Sequence, residues 1–230
     1  MKISIALTAL AYSIHCNGEI TGSAQQPLRL PLSQYDLVEA LKEAQIIPAI
    51  IDEFVPLLSI NISWPKAQAN IGNTVKPKKM KHKPTIQLID LLPEASSSFT
   101  GEHPQLTLAM SDPDAPSRDD PRWGQVCHWL VTDVQLSSGK SNDSSPDTSE
   151  LTEIMSYTPP GPPKKTGRHR YIFVALSPKN GTTDKLNLSE PSDKYNWGYG
   201  QAGAGIRDWA QDNGLVVVGA NFLYSKHKKQ

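Results

Sequence analysis

The chain has 230 residues, 38% of them hydrophobic, and its 23 Lys+Arg balance 23 Asp+Glu to a formal net charge of zero. That apolar fraction suffices for the core of one sizeable domain, and the neutral balance excludes both the broad basic field of a nucleic-acid binder and the acidic excess of a disordered chain. Cys16 and Cys127 define no disulfide framework, and Cys127 reads as a small buried strand residue.

Lys2 is followed by the apolar run Ile3 to Ile14 and by small residues at Gly22 and Ala24, so residues 1–24 read as a short signal peptide or a disordered leader. The run is too short to cross a bilayer, and no transmembrane segment is expected. A signal peptide would direct the protein into the secretory pathway, secreted or vacuolar, rather than the cytoplasm. There the sequons at Asn61, Asn142, Asn180 and Asn187 would be usable glycan acceptors. A single domain is assigned to residues 28–225, with a basic tail at 226–230.

Ser33 and Asp36 form a capping-box pattern, and Leu37, Leu41, Ala44 and Ile47 recur at helical spacing until Pro48, which predicts a helix from Gln34 to Ile47. Ile50, Ile51 and Phe54 predict a further turn on the core. Leu58, Ile60, Ile62 and Trp64 alternate with polar residues, the period of a strand with one buried face. Lys76 to Lys83, KPKKMKHK, is the one concentrated basic run. It reads as a solvated connection, with an anionic membrane or acidic partner as the alternative. Thr85 to Leu92 and Gln105 to Ser111 are two more strands, joined through the Ser-rich loop at Ser96 to Ser98.

From Leu106 to Trp129, LTLAMSDPDAPSRDDPRWGQVCHW, an alternating strand enters an acidic loop stiffened by Pro113, Pro116 and Pro121 and leaves it at His128. A strand from His128 to Val134 follows, and then Ser137 to Glu150, which lacks apolar periodicity and reads as a mobile surface insertion. A second stiff loop, Tyr157 to His169, delivers His169 to the continuous apolar run from Arg170 to Leu176, a central strand covered on both faces. Ile206, Trp209 and Ala210 mark a short helix ending at Asn213-Gly214, and Leu215 to Tyr224 is the last strand. The expected fold is mainly β (α+β), an antiparallel sheet or sandwich core with peripheral helices. Regular βαβ alternation and a Gly-rich phosphate loop are both lacking.

Two matching rigid loops thus bring Asp112, His128 and His169 to core strands. Two imidazoles beside one carboxylate suit a small anionic group: the carboxylate favours a protonated ring, and the outward N–H groups meet a phosphate or carboxylate. Backbone N–H groups around Gly161 would add donors, and Trp123 and Tyr171 would supply apolar walls. The same three side chains also satisfy a 2-His-1-carboxylate metal set, and Ser111 or Ser117 beside Asp112 permits an Asp-His hydrolase. Neither alternative has its usual spacing here, HExxH for the metal or GxSxG for the nucleophile.

DPDAPSR at Asp112 to Arg118, CHW around His128, and GPPKKTGRHRYIF from Gly161 to Phe173 resemble the two signature blocks of the phosphatidylethanolamine-binding protein family. The segment Asn196 to Tyr224 is similar to the fungal branch, which includes serine carboxypeptidase inhibitors. The resemblance implies a central antiparallel β fold with a cavity for phosphate or phospholipid head groups, lined by Asp112, Ala115, Pro116, His128, Gly161, Pro163, His169 and Tyr171. Trp123 stands where many members have tyrosine, which removes a hydroxyl donor from the head-group contacts. A non-enzymatic, cofactor-free monomer is expected, acting as a serine carboxypeptidase inhibitor or a regulator of signalling proteins.

Overall fold

The computed structural model describes residues 34–92, 99, 105–137 and 151–229. The leader with Cys16, the capping residue Ser33, the Ser-rich loop, residues 138–150 of the insertion and its sequon at Asn142 lie outside them.

Helix α1 (Gln34–Glu43) turns Leu37, Val38 and Leu41 inward. It stops short of the predicted Ile47 because Gln45 adopts a left-handed φ of 55°. The Gln45 N–H then returns to the Lys42 carbonyl and the Ile46 N–H to the Leu41 carbonyl, both at 2.8 Å. This is a Schellman ending built on a residue other than glycine.

Strands β1 (Leu58–Trp64), β2 (Ala67–Gln68) and β4 (Thr85–Asp90) form a three-stranded antiparallel sheet ordered β2-β1-β4. The larger sheet is ordered β3-β9-β8-β5-β6-β7. It comprises β3 (Asn73–Thr74), β5 (Thr107–Asp112), β6 (Val126–Thr132), β7 (Thr152–Met155), β8 (Arg168–Pro178) and β9 (Leu215–Lys226). Its pairs are antiparallel except β3 with β9, which is parallel. The expected mainly β, antiparallel class is the observed one.

The unbroken apolar run in β8 is explained by its two covered faces. Ile172, Val174 and Leu176 pack with α1 and with Ile206, Trp209 and Ala210 of helix α2 (Ile206–Asp212). Tyr171, Phe173 and Ala175 point the other way, into a core shared with Leu58, Ile60 and Ile62 of the small sheet. Helix α2 ends as predicted, with Asn213 as its cap and Gly214 at φ +64°.

Several further boundaries differ from the sequence reading, three of them near the histidines. Asp112 is the last residue of β5 rather than part of the loop, because it still pairs with Val126. β6 starts at Val126, so His128 lies within the strand, and β8 starts at Arg168, so His169 does too. The acidic loop folds back tightly on its own start: a Cβ at Gly124 would lie 2.2 Å from the Pro113 carbonyl oxygen, so only glycine fits. The Ala115–Pro116 and Gly124–Gln125 peptide bonds in this loop are cis.

Candidate functional site

Strands β8, β5 and β6 are neighbours, and they place His169, Asp112 and His128 side by side at one pole of the large sheet. All three are buried, at 1%, 2% and 6% exposure. The His169 Nδ1–H donates to Asp112 Oδ2 at 2.9 Å. On the other side of the same carboxylate, His128 Nε2 lies 3.9 Å from Oδ2. The His128 Nδ1–H donates to the Thr158 carbonyl at 2.7 Å, and since a carbonyl can only accept, this leaves Nε2 as the ring nitrogen facing the carboxylate.

Tyr171, 1% exposed, lies between the two rings, edge-on to His128 at 5.2 Å and stacked on His169 at 6.5 Å. Burial, followed by the Asp112 charge, pushes its pKa well above the usual tyrosine value. Burial also lowers the pKa of His128, outweighing the opposing pull of Asp112. For His128, desolvation thus dominates a carboxylate 3.9 Å away.

The remaining predicted residues frame this cluster. Ala115 is buried and Pro116 half-buried. Pro163 is exposed, and its carbonyl accepts the Thr166 hydroxyl at 2.9 Å, while Thr166 Oγ1 meets His169 Nε2 at 3.0 Å. The Trp123 N–H donates to the Ala115 carbonyl at 3.0 Å, closing the loop. The Trp123 indole is 44% exposed, and its described ring partner is Tyr195 at 5.7 Å. Trp123 is thus placed on the rim.

The two serines considered as nucleophiles have other partners. Ser111 Oγ lies among Gln125 Oε1, the Val126 carbonyl and Trp197 Nε1, each at 3.3 Å. Ser117 Oγ accepts the Asp120 N–H at 3.2 Å. Among the described residues, no three His, Cys, Asp or Glu side chains converge with ligand geometry.

Sequence reasoning missed the pair behind the cluster. Arg170 follows His169 and so points away from it, where Nε bonds Asp114 Oδ2 at 2.9 Å and Nη2 bonds Asp114 Oδ1 at 2.5 Å. Asp114 Oδ2 also accepts the Arg170 backbone N–H at 2.7 Å, and Arg170 Nη1 donates to the Ala44 and Gln45 carbonyls at 3.0 and 2.7 Å. The signal was available: Asp112 and Asp114 are two residues apart in DPDAPSR, and His169 and Arg170 are adjacent. Thr158 and Thr166, which hold the histidine rings, were also missed; Thr166 carries a faint turn signal beside Gly167, and Thr158 carries none. A cavity of about 150 Å³ next to the loop is lined by Pro113, Asp114, Gly124, Gln125 and Arg170 among others, not by the histidines.

Two face-packed β-sheets, helices against the larger one, and a buried carboxylate–imidazole cluster at one pole place the molecule in the β-sandwich class with peripheral helices. The chain belongs to the phosphatidylethanolamine-binding protein family, whose model matches residues 63–223. It is 31% identical over 214 residues to the carboxypeptidase Y inhibitor of Saccharomyces cerevisiae, covering 83% of this chain and 95% of that protein. An uncharacterized protein of the same yeast is 32% identical over 189 residues, covering 81% of this chain and 91% of the relative. In three dimensions, the crystal structure of carboxypeptidase Y inhibitor complexed with its cognate proteinase matches with a TM-score of 0.74 at 29% identity. That match spans 86% of this chain and 98% of the inhibitor.

Proposed function

We propose that this protein is a non-enzymatic binding protein that takes a phosphate or phospholipid head group at Asp112, His128 and His169 and inhibits a serine carboxypeptidase. The observation that carries the head-group reading is the joining of one carboxylate and two imidazoles from three adjacent strands around a buried tyrosine. Asp112 orients His169, and Thr158 orients His128 so that Nε2 faces inward. An anion arriving there supplies the negative charge that His128 needs to take up a proton, and the imidazolium then donates a charge-assisted hydrogen bond. Ala115, Pro116, Gly161, Pro163 and Trp123 form the frame.

The inhibitor reading is supported by similarity along 95% of the yeast inhibitor's length. The leader pattern of residues 1–24 supports a secretory or vacuolar location, where such a protease would be met. Titrating carboxypeptidase Y with the purified full-length protein tests this: peptidase activity is expected to fall in proportion to added protein until it is abolished. Full activity at a clear molar excess would refute the inhibitor reading and leave the head-group reading standing.

A further inference from the structure

β8 runs 11 residues, about 30 Å, from the histidine pole to Pro178, where its pairing with β9 ends at Leu215. Two hollows open at this far end. One, of about 380 Å³, has Ile51, Phe54, Ala210, Leu215 and Val217 among its walls. The other, of about 530 Å³, has Pro178, Thr182 and Leu186 among its own. Lys179 and Gly214 line both, so the two hollows meet at the lysine.

The first hollow is a gap between residues 52–56, which belong to no helix or strand, and the start of β9. The Leu57 N–H donates to the Val218 carbonyl at 2.8 Å, and the gap opens on the side of that bond toward Asp52 and Leu215. Within it, the backbone N–H groups of Asp52, Glu53, Phe54 and Val55 find no acceptor among the described residues. Free backbone donors beside an apolar floor are what an added peptide strand engages. Val55 at 68% and Val216 at 38% exposure place apolar side chains on the two lips.

The charges around the gap leave a cationic surplus. Asp52 Oδ1 lies 2.9 Å from Arg207 Nε, and Glu53 Oε1 lies 3.1 Å from Lys42 Nζ. Both acids are thus neutralised within the chain. Lys179 is exposed and has no carboxylate partner among the described residues. The pair with Asp52 is not aligned as a hydrogen bond, so the buried Arg207 Nε–H also lacks an acceptor among the described residues. We propose that the two hollows bind an extended segment of a partner protein in which an acidic residue is flanked by apolar ones. The acid pairs with Lys179, one apolar side chain enters between Phe54 and Leu215, and the other lies against Leu186. Carbonyls of the segment take the free N–H groups of residues 52–55. Those donors favour a peptide over a fatty acid, which brings acceptors only at its carboxylate. The site does not depend on what the histidine cluster binds.

Fluorescence anisotropy of labelled, end-blocked pentapeptides with the full-length protein tests it, using Glu, Gln or Lys at the centre and Val, Leu or Phe at the flanks. Glu-centred peptides are expected to bind, and Gln at the centre to weaken binding about two- to fivefold, the range of an exposed ion pair. Lys179→Glu is expected to reverse the preference toward the Lys-centred peptides. Methylating the peptide nitrogens, which blocks strand pairing, is expected to abolish binding. Lys179 is exposed, so its variant should keep the wild-type melting curve and its affinity for O-phosphoethanolamine. His169→Ala is expected to lose O-phosphoethanolamine but keep the peptide. Absence of binding by every Glu-centred peptide would overturn the proposal, as would equal affinity for the Glu, Gln and Lys series or a Lys179→Glu variant with the wild-type preference. Lysine-dependent binding of dodecanoate without any peptide binding would overturn it in favour of a fatty-acid site.

Discussion

Asp114→Ala removes the counter-charge of a guanidinium that is almost out of water. The Arg170 side chain is 8% exposed and that of Asp114 is 1% exposed. Three side-chain hydrogen bonds and one backbone hydrogen bond join them. After the substitution Arg170 keeps only the Ala44 and Gln45 carbonyls, so a buried charge is left without an opposite one. Breaking such a pair costs about 3–5 kcal/mol, which for a chain of this size lowers Tm by roughly 10 °C. The loss should be visible at the site, because Arg170 ties the end of α1 to the strand that carries His169. Urea unfolding followed by far-UV circular dichroism measures the cost, and D114A/R170M provides the cycle: removing both charges should recover much of the single-mutant loss, with a coupling of about 1–3 kcal/mol. A loss below about 1 kcal/mol for Asp114→Ala, or strict additivity in the double variant, would refute the reasoning.

Other expectations follow from single groups. Because burial lowers the His128 pKa in the fold, the unfolded chain binds the proton first, so His128 costs nothing above its ordinary pKa near 6.5 and destabilises the fold as pH falls below it. The wild type should therefore lose stability on acidification more steeply than His128→Gln, and parallel curves would contradict the assignment. Burial pushes the Cys127 thiol up to about 12, so in a Cys16→Ser background the native protein should resist a thiol reagent at pH 8 and react fully only when unfolded; rapid native labelling would show the pocket around Cys127 to be open. Gly124→Ala brings a Cβ to within 2.2 Å of the Pro113 carbonyl oxygen and should cost at least about 1–3 kcal/mol, and a neutral result would mean that the loop yields.

The parts legible in the sequence were those with a period or a stiff marker. β1 alternates cleanly, the apolar run in β8 marks a strand covered on both faces, and Asn213-Gly214 stops α2 where it should. The short strands β2, β3 and β7 span two to four residues and carry no pattern to read. The prolines drew Asp112 into the loop, yet its backbone still pairs in β5, an outcome set by register with β6 rather than by local preference. Asp112, His128 and His169 were found as a set because charge types can be read from sequence. Their balance could not be, since the His128 shift depends on burial that only the folded packing sets.

The claim at the centre is that Asp112, His128 and His169 recognise an anionic head group with uptake of a proton. Calorimetric titration of the full-length protein with O-phosphoethanolamine between about pH 5 and pH 8, in two buffers of different ionisation heat, tests it most directly. The account predicts binding that takes up a proton, weakens as pH rises, and is lost in His169→Ala. Affinity that is unchanged across this range, or that survives His169→Ala, would contradict it.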